Sequence, residues 1–166
     1  MKRIFCIFWL VAMSLTSTYS FSIDWQPVGS GDMRWTFLKL YRIQLETDTG
    51  VHQLQTYPQA LEITYYRDIP RSRLIEATRD QWAHIKLNNA AQNQWLSQLE
   101  QLWPDIKKGD ILRFEVDAKK NNRFIYNGVP IGGIDDKAFS IAFLSIWLST
   151  ATSEPTLRQQ LVTTAN

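Results

Sequence analysis

The sequence has little of what covalent or metal-based stabilisation requires. Its 166 residues include a single cysteine, Cys6, and only two histidines, His52 and His84. One cysteine excludes an internal disulfide framework and a thiolate zinc site. Gly-rich phosphate loops, G-x-S-x-G serine motifs and H-E-x-x-H zinc motifs are also missing from the sequence. We therefore expect no metal site and no cofactor.

The net charge of the chain is also small. The formal net charge is +2, which is too small to predict binding to nucleic acid. Lys2 and Arg3 are the only charged residues among the first twenty. Of the 18 basic residues of the chain, 16 therefore remain after residue 20, and they equal the 16 acidic residues in number. Residues 21–166 therefore carry no net charge that would attract nucleic acid or anionic lipid.

The N-terminus has the pattern of a secretory signal. Lys2 and Arg3 precede an apolar run from Ile4 to Leu15, and small polar residues follow up to Ser20. The run is shorter than the ~20 residues that span a bilayer. We predict a signal peptide over residues 1–20, cut after Ser20 or Ser22, and one domain over residues 21–166. The protein is then periplasmic or secreted, with no stable membrane insertion. An uncleaved anchor is the alternative.

Hydrophobic periodicity predicts a mixed fold. Trp25–Gly31 has the composition of a turn, and Met33–Leu45 is apolar on both faces, which is typical of one long buried strand. Further strands are predicted at 60–66, 111–117 and 123–131, the last folded back at Asn127-Gly128. A short edge strand is also predicted at 51–55.

Helices are predicted at 73–87, 91–102, 137–149 and 156–162, with Asp135 or Asp136 as the cap of the third. That third helix is apolar nearly all round, so we expect it to be the most buried. Strands and helix pairs in this order indicate an α+β fold with helices on one face of an antiparallel sheet.

Four segments, in order, resemble the bacterial chalcone isomerase-like family: Pro58–Ile69, Trp103–Asp110, Arg123–Gly132 and Ala142–Thr152. The resemblance covers nearly all of the chain beyond the signal segment. It implies an open-faced β-sandwich, in which a long antiparallel sheet is backed by a layer of α-helices with a cleft between them. The wider family contains isomerases, fatty-acid-binding proteins and non-catalytic relatives.

The resemblance also implies positions for functional residues. The strand arginine of the isomerases matches Arg34, and their first threonine matches Tyr41, as in the fatty-acid binders. The region of the catalytic tyrosine falls near Asn93–Trp95, and no tyrosine occurs between Lys86 and Lys107. The late-helix position falls on Ile146. Most of the catalytic set is therefore unmatched, and we assign no catalytic residue.

Arg34 and Tyr41 are instead candidates for a carboxylate clamp, because a guanidinium fork and a phenol donor suit an acidic headgroup. They are seven residues apart, so in an unbroken strand a bulge would be needed to bring them to one face. The expected ligand-binding residues are Arg34, Tyr41, Phe37, Phe143, Ile146 and Trp147, with Leu45, Ile63 and Phe139 as further apolar lining.

Three hypotheses remain open at this point. The first is an exported, non-catalytic protein that binds a small hydrophobic or amphipathic acid, similar to a fatty acid. The second is an isomerase or lyase acting on a chalcone-like enone through Arg34 and Tyr41. The third is a structural or interaction protein whose cleft is filled by its own side chains. The sequence does not indicate an oligomeric state.

Overall fold

A computed structural model describes residues 23–163. The predicted signal peptide at 1–20 and both candidate cleavage positions lie outside this range. The described part contains an antiparallel sheet of six strands in chain order: β1 (Gln26–Trp35), β2 (Leu38–Thr47), β3 (Gln59–Tyr65), β4 (Ile111–Val116), β5 (Asn122–Tyr126) and β6 (Val129–Gly132). The helices are α1 (Arg71–His84), α2 (Gln92–Leu102), α3 (Lys137–Leu148) and α4 (Pro155–Val162). Among these residues, none of the helices is both long and apolar enough to cross a membrane.

The helices cover one face of the sheet, and the core lies between the two layers. Alternate residues of the central strands point to this inner face, so Ile43, Leu45, Leu61, Ile63 and Phe114 are all buried. The opposite face is charged. There Arg113 contacts Glu46, Glu62 and Glu115 at 2.6–3.1 Å. The prediction of an α+β fold with a sheet backed by helices is confirmed.

Helix α3 buries more of its residues than any other described helix, as its apolar sequence predicted. The side chain of Asp136 caps it by accepting a hydrogen bond from the backbone N–H of Ala138 at 2.8 Å. The indole of Trp95 donates to the same carboxylate, and the indole of Trp82 donates to the carbonyl of Ala142, both at 3.0 Å. These bonds fasten α1 and α2 to α3.

The predicted long strand over Met33–Leu45 is wrong. The chain reverses at Thr36 and Phe37, where Trp35 pairs with Leu38, so the segment is the end of β1 and most of β2. The predicted edge strand at 51–55 is also absent from the described fold. The preceding strand, β2, is paired with β1 on one side and with β3 on the other. Residues 51–55 therefore cannot pair with β2 as a further strand.

Residues 25–31 were interpreted from the sequence as a turn, but all of them except Trp25 lie in β1. The glycines have another role here, because α4 packs directly on this strand. A Cβ atom at Gly29 would clash with the backbone oxygen of Gln160, and one at Gly31 would clash with side chains of α4. Gly29 in particular is needed for this close approach to the backbone of α4, not for a reversal of the chain.

The hairpin at Asn127-Gly128 is confirmed. Both residues have positive φ angles, 48° and 82°, as a two-residue turn of this kind requires. It joins β5 to β6 at one edge of the sheet.

Candidate functional site

A cavity of about 440 Å³ lies between the inner face of the sheet and helices α1 and α3. This size is within the range of small-molecule sites. Most of the side chains that line the cavity are apolar. The lining residues belong to β1, β2, β3, β4, α1 and α3 and to the segments next to these elements. The apolar members are Met33, Trp35, Leu40, Ile63, Ile69, Leu74, Ala77, Trp103, Leu112, Phe143, Ile146 and Trp147.

A β-bulge shapes the wall formed by β2. Met33 pairs with Tyr41 and Arg34 pairs with Lys39, so Leu40 is the extra residue opposite these two partners. A bulge turns two consecutive side chains away from strict alternation. Leu40 and Tyr41 consequently both line the cavity.

Two tyrosines provide the phenols of the cavity wall. The hydroxyl of Tyr41 accepts a hydrogen bond from the indole N–H of Trp147 at 3.0 Å, and its own proton remains available for a second partner. Tyr65 packs edge-on against Tyr41, with ring centroids 5.8 Å apart. Loss of solvent raises the pKa of Tyr41 to about 12 and also raises the pKa of Tyr65. Both phenols are therefore neutral donors near pH 7.

Most of the remaining polar side chains of the cavity wall already form hydrogen bonds or ion pairs within the protein. Thr78 donates to the carbonyl of Leu74 at 2.8 Å, and Gln81 accepts from Ser153 at 2.8 Å. Arg73 is the single Lys or Arg side chain among the lining residues. It is 71% exposed and contacts Glu76 at 2.6 Å, which places it at the rim.

An acidic side chain, Glu154, also borders the cavity. Its charge contributes to the raised pKa of Tyr41. A carboxylate ligand would be repelled by Glu154 and attracted by Arg73. The lining thus includes one anionic and one cationic side chain.

Four of the expected ligand-binding residues meet at this cavity: Tyr41, Phe143, Ile146 and Trp147. The last three lie on one side of α3, because residues three and four positions apart share a helix face. Ile63, expected as further lining, also reaches the cavity. Leu45 and Phe139 do not line it, and both are fully buried in the core instead.

Arg34 and Phe37 require correction. Arg34 lies outside the cavity, in a separate open groove beside α4 that is larger, about 870 Å³, and more polar. Its side chain is half exposed and approaches Asp32 at 4.0 Å. The bulge occurs as the clamp hypothesis required, but it moves Leu40 and leaves Arg34 on the outer side. Phe37 is at the hairpin turn and is 84% exposed.

Among the cavity residues that the sequence did not predict, Tyr65 and Arg73 matter most for the chemistry of the site. Tyr65 could have been found, because strict alternation in β3 places it on the same side as Leu61 and Ile63. Arg73 left no signal, since it lies among other polar residues in the first turn of α1. Only the docking of α1 over the sheet shows that its side chain borders the cavity.

Comparisons with known proteins agree with this architecture. A family model described as chalcone isomerase-like matches residues 29–163. An uncharacterized protein of Haemophilus influenzae is 27% identical over 138 residues, which span 83% of this chain and 68% of that protein. The crystal structure of an Arabidopsis thaliana fatty-acid binding protein superposes with a TM-score of 0.66 at 10% identity, covering 86% of this chain and 89% of the other. At that identity the superposition shows a shared fold.

Proposed function

The chain belongs to the chalcone isomerase-like family, and we propose that it is an exported, non-catalytic binding protein. Its ligand is a small hydrophobic or amphipathic acid, similar to a fatty acid, held between sheet and helices. The observation that carries this proposal is the apolar cavity of about 440 Å³ with one cationic side chain, Arg73, at its rim. The fatty-acid-binding protein of the same fold adds support.

The orientation of the ligand follows from the cost of burying charge. A carboxylate deep among apolar side chains without a counterion would be strongly disfavoured. We place the carboxylate at the rim, where Arg73 can contact it and water still reaches it. The apolar tail then extends inward toward Phe143 and Ile146, past the neutral phenols of Tyr41 and Tyr65.

Native mass spectrometry of the protein from its source compartment tests for the ligand. An adduct of fatty-acid mass is expected. If purified protein carries no adduct and gives no thermal shift with a panel of fatty acids, the binding proposal is abandoned.

The contact of Arg73 with the acid has a sharper test. Arg73→Gln should weaken binding of a long-chain fatty acid up to about fivefold, the range for an exposed ion pair, and leave binding of the matching fatty alcohol unchanged. Arg79→Gln is the matched control, because Arg79 is an exposed residue of the same helix outside the cavity lining. Equal effects on acid and alcohol would refute the placement of the carboxylate.

The absence of catalysis is supported by the separation of Arg34 from Tyr41. An isomerase hypothesis needed both residues beside one developing oxyanion, but Arg34 in β1 lines the open groove and Tyr41 in β2 lines the separate apolar cavity. Wild-type protein incubated with a chalcone should cyclise it no faster than buffer does. Turnover that is lost in Tyr41→Phe would instead support the enzyme hypothesis.

The cavity of about 440 Å³ among the described residues argues against a cleft that is filled by its own side chains. Export rests on the N-terminal pattern alone. The chain recovered from the periplasm should begin at Phe21 or Ile23 by intact mass, and Leu10→Arg should block its processing by interrupting the apolar run. Recovery of unprocessed chain in the membrane fraction would favour the uncleaved anchor.

A further inference from the structure

The turn between β1 and β2 exposes two aromatic side chains. Trp35 is 68% exposed and Phe37 is 84% exposed. Single exposed hydrophobic residues are ordinary on a protein surface. Here two large rings flank one turn residue, Thr36, at the tip of a hairpin. We call Trp35, Thr36 and Phe37 the aromatic tip.

The turn holds this arrangement at a conformational cost. Thr36 has a φ angle of 55°, a left-handed conformation that is unfavourable for a β-branched residue. The pairing of Trp35 with Leu38 closes the turn in two residues. The rings are therefore presented by a defined hairpin at the end of the sheet.

Three cations surround one carboxylate just behind the tip. Asp32 is contacted by Lys39 at 2.6 Å, by Arg42 at 3.7 Å and by Arg34 at 4.0 Å. The hydrogen bond and charge of Lys39, followed by the Tyr66 hydrogen bond and the charge of Arg42, keep the pKa of Asp32 below its usual value, so it stays ionised. The four residues carry a positive balance, and about half of each cationic side chain is exposed. A chain whose charges nearly cancel overall thus has a local basic patch.

The aromatic tip adjoins the entrance of the cavity. Trp35 is exposed to solvent and also lines the cavity. The same end of the sheet includes Tyr66, whose N–H bonds to the carbonyl of Leu40 at 2.9 Å and whose phenol donates to Asp32 at 3.3 Å. A surface contacted by the tip would lie next to the cavity.

We propose that the aromatic tip and the basic patch behind it dock the protein reversibly on an anionic lipid bilayer. Tryptophan and phenylalanine suit the boundary between headgroups and acyl chains. Arginine and lysine placed just behind them meet the negative headgroups, and this charge complementarity selects an anionic surface. Docking goes beyond the proposed ligand binding, and it requires no ligand in the cavity.

The shape of the tip favours a bilayer over a protein partner. A stable protein interface buries roughly 1,200–2,000 Å² with complementary packing, and two rings on a convex turn offer far less. A fluid bilayer accepts a convex wedge, because lipids rearrange around it. A second copy of the chain is the competing occupant, and the experiment separates it.

Co-sedimentation with vesicles of phosphatidylcholine containing 30% phosphatidylglycerol tests the proposal on the processed, exported chain. Binding is expected with these vesicles, and it should be weaker with pure phosphatidylcholine and in high salt. Phe37→Ser should reduce partitioning by about tenfold through the loss of buried aromatic area. Arg34→Gln combined with Lys39→Gln should reduce it by about tenfold or more.

Matched controls lie at the opposite end of the sheet. Leu54→Ser removes a side chain that is 70% exposed, and Lys119→Gln combined with Lys137→Gln removes two exposed charges. Both controls should partition like wild type. Failure of the wild type to bind anionic vesicles, or equal losses in the controls, would overturn the proposal.

Two further measurements separate the alternatives. Phe37 does not line the cavity, so Phe37→Ser should bind fatty acid in vesicle-free solution as wild type does. Failure of ligand binding and failure of docking are thus distinguishable. Sedimentation velocity that shows a dimer lost in Phe37→Ser, without vesicle binding, would replace the bilayer with a second copy as the occupant.

Discussion

The indole N–H of Trp147 in α3 donates a hydrogen bond to the phenol oxygen of Tyr41 in β2 at 3.0 Å, joining the helix layer to the sheet across the cavity wall. The two residues are more than a hundred positions apart in the chain. Their bond is one of the polar links that cross the space between the layers. The cavity thereby has a fixed wall where its other sides are mainly apolar.

Loss of this bond should destabilise the fold. Tyr41→Phe leaves the indole N–H of Trp147 without its partner, which costs about 1–3 kcal/mol of unfolding free energy. Trp147→Phe removes the donor instead. Both substitutions remove the same bond. The sum of the two losses in unfolding free energy should therefore exceed the loss in the double variant, by a coupling energy of at least about 0.5 kcal/mol. Urea denaturation of the four proteins measures this, and strict additivity would contradict the link.

The phenol of Tyr41 also predicts a pH dependence. Burial raises its folded-state pKa to about 12 from an ordinary value of 10.0. The folded protein holds this proton more tightly than the unfolded chain does, so the contribution of Tyr41 is complete below pH 10 and falls as pH rises toward 12. Relative to Tyr41→Phe, wild type should lose about 1.4 kcal/mol of unfolding free energy between pH 8 and pH 11.

Urea denaturation at a series of pH values measures that difference. The comparison with Tyr41→Phe cancels the titration of lysines and of the other tyrosines. A gap between wild type and Tyr41→Phe that stays constant up to pH 11 would show that the Tyr41 phenol titrates as an exposed one.

Added bulk in the cavity should weaken ligand binding without unfolding the protein. Ile146→Phe adds volume on the cavity side of α3, where space exists, so the unfolding free energy should change by less than about 1.5 kcal/mol. Leu144→Phe is the control, because Leu144 is buried on the same helix but does not line the cavity. It should cost about 1–3 kcal/mol through overpacking and retain binding. Fatty-acid titration that finds unchanged affinity in Ile146→Phe would place the ligand elsewhere.

The parts of the fold that local chemistry determines were predictable from the sequence. The Asn127-Gly128 hairpin and the Asp136 cap of α3 each depend on a few neighbouring residues with specific backbone preferences. The apolar residues on nearly every side of α3 likewise predicted that this helix is buried. Its cavity-facing residues, Phe143, Ile146 and Trp147, follow from helical spacing together with the family resemblance.

The parts that depend on distant segments were not predictable. Gly29 and Gly31 suggest a turn until α4 is known to pack against them. Arg73 gains a role only when α1 lies over the sheet. The basic patch behind the aromatic tip was hidden because the overall charge is nearly balanced, and only the pairing of β1 with β2 brings Arg34 and Lys39 beside Asp32.

The hairpin at Thr36 and Phe37 was missed for a separate reason, which yields a prediction. Neither residue is a usual turn residue, and Thr36 adopts its positive φ angle against its preference. Thr36→Gly should raise the unfolding free energy by up to about 1 kcal/mol, because glycine takes this conformation without steric cost. Urea denaturation checks this, with Thr64→Gly in β3 as a control that should lower stability by about 0.5–1 kcal/mol.

The gain in unfolding free energy of Thr36→Gly will be reduced by loss of the hydrogen bond from the Thr36 hydroxyl to the Trp35 carbonyl. A Thr36→Gly variant less stable than Thr64→Gly would show that this bond, and not the backbone conformation, dominates at the tip.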